Sequence, residues 1–332
     1  MKTLVTGANG FMGAHLVREL LRRGHRVRGL VQPGTPTDSL RGLDVELLSG
    51  DVRSRQTLRE GCARQEVIFH LAAIPSDWAP AKLIHAVNVE GTRNLVAGAL
   101  QAGCRRLVLM SSLAVHRSTG HRDATEDTPR DRRSLPYAES KRRAEDIVLD
   151  PRLADRLEAV VIRPGLVPFG PGDRLTSLGL ARALRSGRLP LIGGGHTAIC
   201  TSYVENLVPG VALAGEREAA AGQTLILTDD GHPTWAELFG AFARALGAPP
   251  PRLSLPWAAA QAAALGVEGV WTLLQLSALP PITRYRVGLW RHDFHFSSAR
   301  AKRVLGYKPT VGMEEGAQRT MDWARPLLCG GA

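Results

Sequence analysis

Lysine is almost missing from this chain. Only 5 of its 42 basic residues are lysines, and the arginines that replace them are spread along the whole length. The formal charge of +11 is therefore dispersed, with no concentrated basic stripe of the kind that tracks nucleic acid. The one dense cluster is Arg130, Arg132, Arg133, Lys141, Arg142 and Arg143. It reads as a solvated helix and loop face, with attraction of an anionic substrate or cofactor as the second reading. Cysteine is scarce too. Cys62, Cys104, Cys200 and Cys329 stand far apart with no C-x-x-C spacing, so neither a zinc site nor a disulfide framework is expected. There is no internal repeat and no low-complexity segment. Met1 runs straight into a β-type run, which leaves no room for a signal peptide, and a cytoplasmic protein is expected.

What is present is enough for a large core in one or two domains: 332 residues, 44% of them hydrophobic. Lys2 to Thr6 is a short β-type run, followed at once by Gly7-Ala8-Asn9-Gly10-Phe11-Met12-Gly13 and an amphipathic helix to about Arg23. Strand, glycine-rich turn and helix in that order form the opening unit of a dinucleotide-binding fold. Gly7 permits the tight turn, Gly10 lets backbone amides approach a pyrophosphate, and Gly13 lets the helix pack on the sheet. Arg26 to Val31 reads as the second strand. Its end, Val31-Gln32-Pro33, lacks the carboxylate that normally receives the ribose 2′-hydroxyl of NAD. Asp51 in Gly50-Asp51-Val52 is placed to reach an adenine edge. Val67 to Ala73 is an apolar strand running into small residues, and His70 inside it reads as a satisfied core histidine. Strand and helix patterns alternate as far as Val160 to Arg163, which predicts a parallel sheet with helices on both faces.

Tyr137-Ala138-Glu139-Ser140-Lys141 carries the chemistry. Tyrosine and lysine four apart share one face of a helix. A nearby ammonium favours the phenolate, so such a pair is suited to moving a proton on and off an alcohol or carbonyl oxygen.

In order, these stretches resemble the extended short-chain dehydrogenase/reductase superfamily over nearly the whole chain. The resemblance is carried by T-G-A-N-G-F-M-G, G-D-V at Gly50, H-L-A-A at His70, N-V-E-G-T at Asn88 and S-S-L-A-V at Ser111. Y-A-E-S-K, R-P-G near Arg163, G-P-G-D at Gly170 and Y-V-E-N-L at Tyr203 complete it. It implies Tyr137 as general acid/base, Lys141 lowering its pKa and holding the nicotinamide ribose, and Ser112 bonding the reacting oxygen. Asn88 matches a supporting asparagine. The cofactor-binding set implied is Gly7, Asn9, Gly10, Phe11, Met12, Gln32, Asp51, Val52, Leu71, Ala72, Ala73, Asn88, Tyr137, Lys141 and Pro164, with no metal. NAD(P) is the expected cofactor. A modest lean to NADP is expected because nothing at Gln32 repels a 2′-phosphate, and Arg28 and Arg53 lie near in sequence.

Two departures bear on the reaction. Sugar-nucleotide epimerases and dehydratases of this superfamily carry an asparagine where this chain has Leu166 and a diphosphate-binding arginine where it has Ile199. Pro281 to Val287 and His292 to Phe296 are similar to the 3β-hydroxysteroid dehydrogenase-like branch. The expected fold is therefore α/β: a Rossmann-type doubly wound parallel sheet with a smaller, mostly helical substrate-binding region. Residues 1–165 with return segments about 198–228 would form the dinucleotide-binding domain, and 166–197 with 229–332 the substrate-binding region. The expected activity interconverts a secondary alcohol and a ketone on an apolar, steroid-like or β-hydroxy/β-keto acyl substrate. The alternatives are a sugar or sugar-nucleotide epimerase and a non-catalytic dinucleotide sensor. The apolar run Leu255 to Leu279 is expected to form a buried helix pair over the substrate pocket, with interfacial membrane contact as the second reading. Glu268, Gln275, Gly266 and Gly269 argue against a membrane span. A homodimer is implied through the helices of Lys82 to Gly103 and Tyr137 to Leu149.

Overall fold

The computed structural model describes residues 1–131, 135–276 and 278–329. Seven strands form the central sheet: β1 (Lys2–Thr6), β2 (Arg26–Val31), β3 (Val45–Ser49), β4 (Val67–His70), β5 (Arg106–Met110), β6 (Glu158–Pro164) and β7 (Thr224–Leu227). They lie in the order β7-β6-β5-β4-β1-β2-β3, and every pairing is parallel. That is the doubly wound nucleotide-binding order with one strand added at the far edge. The central strands read as nearly unbroken apolar runs because helices cover both faces.

Alternation along each strand assigns its side chains to two cores. Val5, Phe69, Val108, Val160 and Ile162 face α1 (Phe11–Arg22) and a later helix, Val204–Glu216. Leu4, Ile68, Leu107, Leu109 and Val161 face α2 (Arg55–Cys62), α3 (Gly91–Ala102) and α4 (Pro136–Val148). A third core gathers Phe169, Ile199, Tyr203, Phe239 and Phe242 with Met321. It lies around Trp235–Leu246, which opens on a capping box in which Thr234 and Glu237 satisfy each other's backbone N–H.

Among the described residues, three short strand pairs lie outside the sheet. Val167–Phe169 pairs with Thr201–Tyr203, Leu191–Ile192 with Ser254–Leu255, and His121–Ala124 with Phe294–Phe296. Of the last pair, His121–Ala124 lies in the stretch His116 to Pro136, whose polar composition by itself suggests only a loop.

The apolar run does not form a buried pair. It is one helix, Trp257–Leu273, that buries only Ala260 and Ala264. Alanine and leucine make the run apolar, but outside the helix the neighbouring surface offers only Ile192 and Val287 as buried partners, with Trp257 packed partly against them. Among the described residues no helix is long and apolar enough to cross a membrane.

Candidate active site

Because all seven strands run the same way, every loop that follows one emerges at a single edge of the sheet. The glycine turn after β1, Gln32 after β2, Asp51 and Val52 after β3, Leu71 to Ala73 after β4 and Ser112 after β5 therefore meet there. Pro164 ends β6 at the same edge.

The glycine turn is shaped by contact. Gly7 has φ +68, and a Cβ on it would stand 2.9 Å from the Ala72 backbone nitrogen. A Cβ on Gly13 would stand 2.1 Å from the Gly7 carbonyl oxygen, so the first turn of α1 lies directly on the turn that precedes it. Gly10 is the N-cap, and α1 has neither a side-chain cap nor an acidic residue in its first turn. Its leading amides thus have no competing side-chain acceptor, which fits an anionic diphosphate. Phe11 and Met12 are half-buried behind them. Asn9 pins the loop after β2, donating from Nδ2 to Thr35 Oγ1 at 2.8 Å and to the Pro36 carbonyl at 2.9 Å. Gly13→Ala should weaken dinucleotide binding by about tenfold or more and cost about 1–3 kcal/mol of stability by overpacking. Cofactor titration and thermal unfolding check both; wild-type affinity would show that the turn tolerates the shift.

At the adenosine end the charged side chains already have partners. The Asp51 carboxylate is held by Arg53, with Nη2 at 2.7 Å from Oδ2, and this lowers its pKa. Arg28 spends Nη1 on the carbonyls of Glu60, Gly61 and Ala63 at the end of α2, and pairs through Nε with Glu46. Neither arginine is disengaged and waiting for a phosphate. Gln32 is exposed.

A chain of hydrogen bonds ties the nicotinamide end together. Asn88 sits in a π-helical turn, His85–Glu90, that enters α3. π-Turns are rare interruptions of α-helices and are frequent at functional sites. Asn88 Nδ2 donates to Ser140 Oγ at 2.9 Å, and Ser140 Oγ donates to the Tyr137 carbonyl at 2.6 Å. Asn88 Oδ1 accepts from the Ile74 N–H at 2.8 Å. Thr92 Oγ1 donates to the Asn88 carbonyl at 2.6 Å, so it must accept from His70 Nε2 at 3.0 Å. His70 Nδ1 is then the acceptor for Thr6 Oγ1 at 2.7 Å, and Thr6 Oγ1 accepts from the Ala72 N–H at 3.2 Å. His70 is thus a satisfied core histidine. Burial, with the Lys141 charge adding to it, lowers its pKa to about 3.

Two adjacent serines diverge at the end of β5. Ser111 turns inward, its Oγ donating to Glu145 Oε1 at 2.6 Å. Ser112 faces Tyr137. Burial raises the Tyr137 pKa, and the hydrogen bond with Ser112 opposes that rise. Lys141 Nζ donates to the Met110 carbonyl at 2.7 Å, and burial lowers its pKa to about 8 while Glu145 works the other way. The ammonium is therefore satisfied by backbone at the end of β5, and the phenol answers first to its burial.

Sequence reasoning missed two parts of this site. Glu145, fully buried one turn beyond Lys141, is gripped by Arg163 through Nε–Oε1 at 2.8 Å and Nη2–Oε2 at 2.7 Å. Arg130 reaches the same carboxylate, Oε2, at 3.2 Å. The arginine cluster is thus largely paired. Arg142 and Arg143 bind Glu139, and Arg130 and Arg142 bind Asp146; Arg132 and Arg133 lie outside the described residues. The second omission is Tyr285, carried by the short helix Arg284–Gly288. Its pKa is pushed up to about 12 by burial, then by the nearby Tyr137 and by Asp77. Asp77, in the loop after β4, fixes that helix by accepting from Thr283 Oγ1 at 2.6 Å and Arg286 Nη2 at 2.7 Å.

The positions that hold an amide and a guanidinium in sugar-nucleotide relatives are apolar in this structure. Ile199 is 1% exposed within the third core. Leu166 lies against a cluster containing Leu113, Phe294 and Phe296.

A glycine turn opening a parallel sheet of this order, with serine, tyrosine and lysine converging beyond its fifth strand, is how a short-chain dehydrogenase/reductase meets its nicotinamide cofactor. This chain is an NAD(P)-dependent oxidoreductase of that class. The profile of the 3-beta hydroxysteroid dehydrogenase/isomerase family matches residues 4–256, and the chain belongs to that family. It is 33% identical over 327 residues to a 2-alkyl-3-oxoalkanoate reductase from Stenotrophomonas maltophilia (strain K279a), covering 96% of this chain and 98% of the relative. It is 31% identical over 336 residues to the decarboxylating sterol-4-alpha-carboxylate 3-dehydrogenase of Mus musculus, covering 96% and 90%. Among solved structures, MoeE5 in complex with UDP-glucose and NAD has a TM-score of 0.77 at 25% identity, covering 99% of this chain and all of that one.

Proposed function

We propose that this enzyme reduces a ketone to a secondary alcohol, or runs the reverse, on an apolar β-keto acyl or sterol-like substrate. The observation that carries the reading is the buried Ile199, with Leu166 also set among apolar side chains. A nucleoside diphosphate would find neither the guanidinium nor the amide that holds it in the sugar-nucleotide enzymes. The names of the two sequence relatives, a 3-oxoalkanoate reductase and a sterol 3-dehydrogenase, support it.

When bound along the glycine turn, the nicotinamide supplies the hydride donor or acceptor. Gly7 to Met12, Val52, Leu71 to Ala73, Asn88 and Pro164 would line the cofactor, with Lys141 beside the ribose. Tyr137 donates its phenolic proton to the oxygen of the reacting carbonyl and recovers one in the reverse direction. Ser112 holds that oxygen by a hydrogen bond. Residues 1–165 with the return strand β7 would serve the cofactor, and the remainder the substrate. A homodimer through α3 and α4 belongs to this reading, as does a cytoplasmic location.

The test is a panel of 2-alkyl-3-oxo acids and sterol ketones, read by nicotinamide absorbance, and of UDP-sugars, read by product analysis. Turnover confined to the apolar ketones is expected; tight binding and inversion of UDP-sugars with no ketone turned over would make this an epimerase.

For the cofactor we propose acceptance of NADP at least equal to that of NAD. Val31 and Gln32 offer no carboxylate to repel a 2′-phosphate, but the engagement of Arg28 and Arg53 limits the lean. The ratio of kcat/KM for the two cofactors should lie within about tenfold, or ~1.4 kcal/mol, and Gln32→Arg should move it toward NADP. A preference for NAD beyond that range, or no response to Gln32→Arg, would count against this assignment.

A further inference from the structure

Seven of the twelve large hydrophobic side chains that stand exposed among the described residues fall between Leu253 and Leu276. Leu273 is 81% exposed, Leu274 60% and Leu265 55%. Single apolar side chains on a surface need no explanation, but a contiguous strip implies something that covers it.

Charge is arranged around the strip rather than on it. Between Gly247 and Arg291 there are four arginines and one carboxylate. That carboxylate, Glu268, has a side chain only 13% exposed. It accepts from the Arg284 backbone N–H at 2.7 Å and from Arg284 Nε at 2.6 Å. The outward face of Trp257–Leu273 is therefore uncharged. Arg291 lies over the Trp257 ring, 4.3 Å from its centroid, and Arg252 is exposed just before the helix. A second copy meeting this strip would bring no free carboxylate from the same segment to the arginines at its border, because Glu268 is held by Arg284. Anionic headgroups above an apolar interior match both the strip and its border. The helix has 17 residues and does not qualify as a span.

The strip is also one helix away from the reaction. Gln261 Nε2 donates to the Arg284 carbonyl at 3.1 Å, and Glu268 holds Arg284 from the other side. The segment so held carries Tyr285, whose phenol lies near Tyr137.

We propose that the Leu253–Leu276 strip docks on an anionic lipid surface, laying the Trp257–Leu273 helix in the interface, so that an apolar ketone passes from the bilayer to Tyr137 beside Arg284–Gly288. Substrate passage rests on the functional reading above; docking does not. The full chain should cosediment with vesicles of phosphatidylcholine and phosphatidylglycerol, and its tryptophan emission should be quenched by brominated lipid. A Leu265→Asp/Leu273→Asp variant, altered only at exposed positions, should bind the vesicles about tenfold or more weakly. It should turn over a short, water-soluble ketone at the wild-type rate and lose turnover of a vesicle-held long-chain ketone. Failure of the wild type to bind vesicles, or equal binding by the variant, overturns the docking. A lipid-free oligomer that the variant converts to monomers makes a second copy the occupant and overturns it too. Equal loss on both ketones overturns delivery from the bilayer. If neither ketone is turned over at all, the functional reading fails while sedimentation still decides the docking.

Discussion

Tyr137→Phe is expected to cut turnover roughly 10²–10⁴-fold while leaving cofactor affinity within about twofold. The substitution removes one oxygen from a half-buried ring on α4 and leaves Lys141 with its bond to the Met110 carbonyl. What is lost is proton transfer to the reacting oxygen, together with the hydrogen bond to Ser112. Burial raises the phenol's pKa, so at neutral pH it carries its proton, the form that reduction needs. The same geometry gives a pH dependence. Burial brings Lys141 to about 8, so its ammonium is lost as the pH rises through that value. The kcat/KM for reduction should hold through neutrality and fall above about pH 8. A Tyr137→Phe enzyme with wild-type turnover, or a wild-type profile flat well beyond pH 8, would remove these residues from their roles.

Glu145→Gln is expected to destabilise the chain by about 3–5 kcal/mol, because it leaves the Arg163 guanidinium buried without its counter-charge. Arg163 is 3% exposed and Glu145 is fully buried, so water replaces nothing that is lost. Burial by itself would raise the Glu145 pKa; Arg163, by hydrogen bond and charge, together with Ser111 and Arg130 outweighs it and leaves the pKa lowered. The pair joins α4, which carries Tyr137 and Lys141, to β6, so the loss should also reduce turnover. Replacing both partners, as Glu145→Leu with Arg163→Met, should cost less than the single change. Denaturant unfolding of the three proteins decides it. A cost for Glu145→Gln below about 1 kcal/mol would mean that the pair behaves like one on the surface.

How far the sequence reveals this molecule depends on whether a feature is written locally. The turn after β1 is legible because glycine answers a local demand, and the structure shows the crowding at Gly7 and Gly13 that excludes other residues. The strands are legible because burial on both faces leaves continuous apolar runs. Ser112 rather than Ser111 faces Tyr137, as the resemblance implies, since successive side chains after β5 point to opposite sides. What could not be read depends on partners distant in the chain. Glu145 stands four after Lys141 on the same helix face, and that spacing was the available signal. Its partner Arg163 comes from the next strand of the sheet. Tyr285 reaches the site only because Asp77 holds Thr283 and Arg286. Arg28 and Arg53 lie near Gln32 in sequence, but the carbonyls at the end of α2 and the Asp51 carboxylate, which the sequence does not place, hold them. The run from Leu255 onward misled for the opposite reason: apolar composition states a preference for burial, and the fold supplies partners for only two of the helix's alanines.

The most direct test of the central claim follows a hydrogen. The chain would be given a 2-alkyl-3-oxo acid and a reduced nicotinamide dinucleotide carrying deuterium at C4, on the face from which the hydride leaves, and the product read by mass spectrometry. The account predicts deuterium on the carbon that bears the new hydroxyl, in amount equal to the cofactor oxidised, with the hydroxyl proton drawn from solvent through Tyr137. Inversion of a UDP-sugar with no net cofactor oxidation, and no ketone reduced, would contradict it.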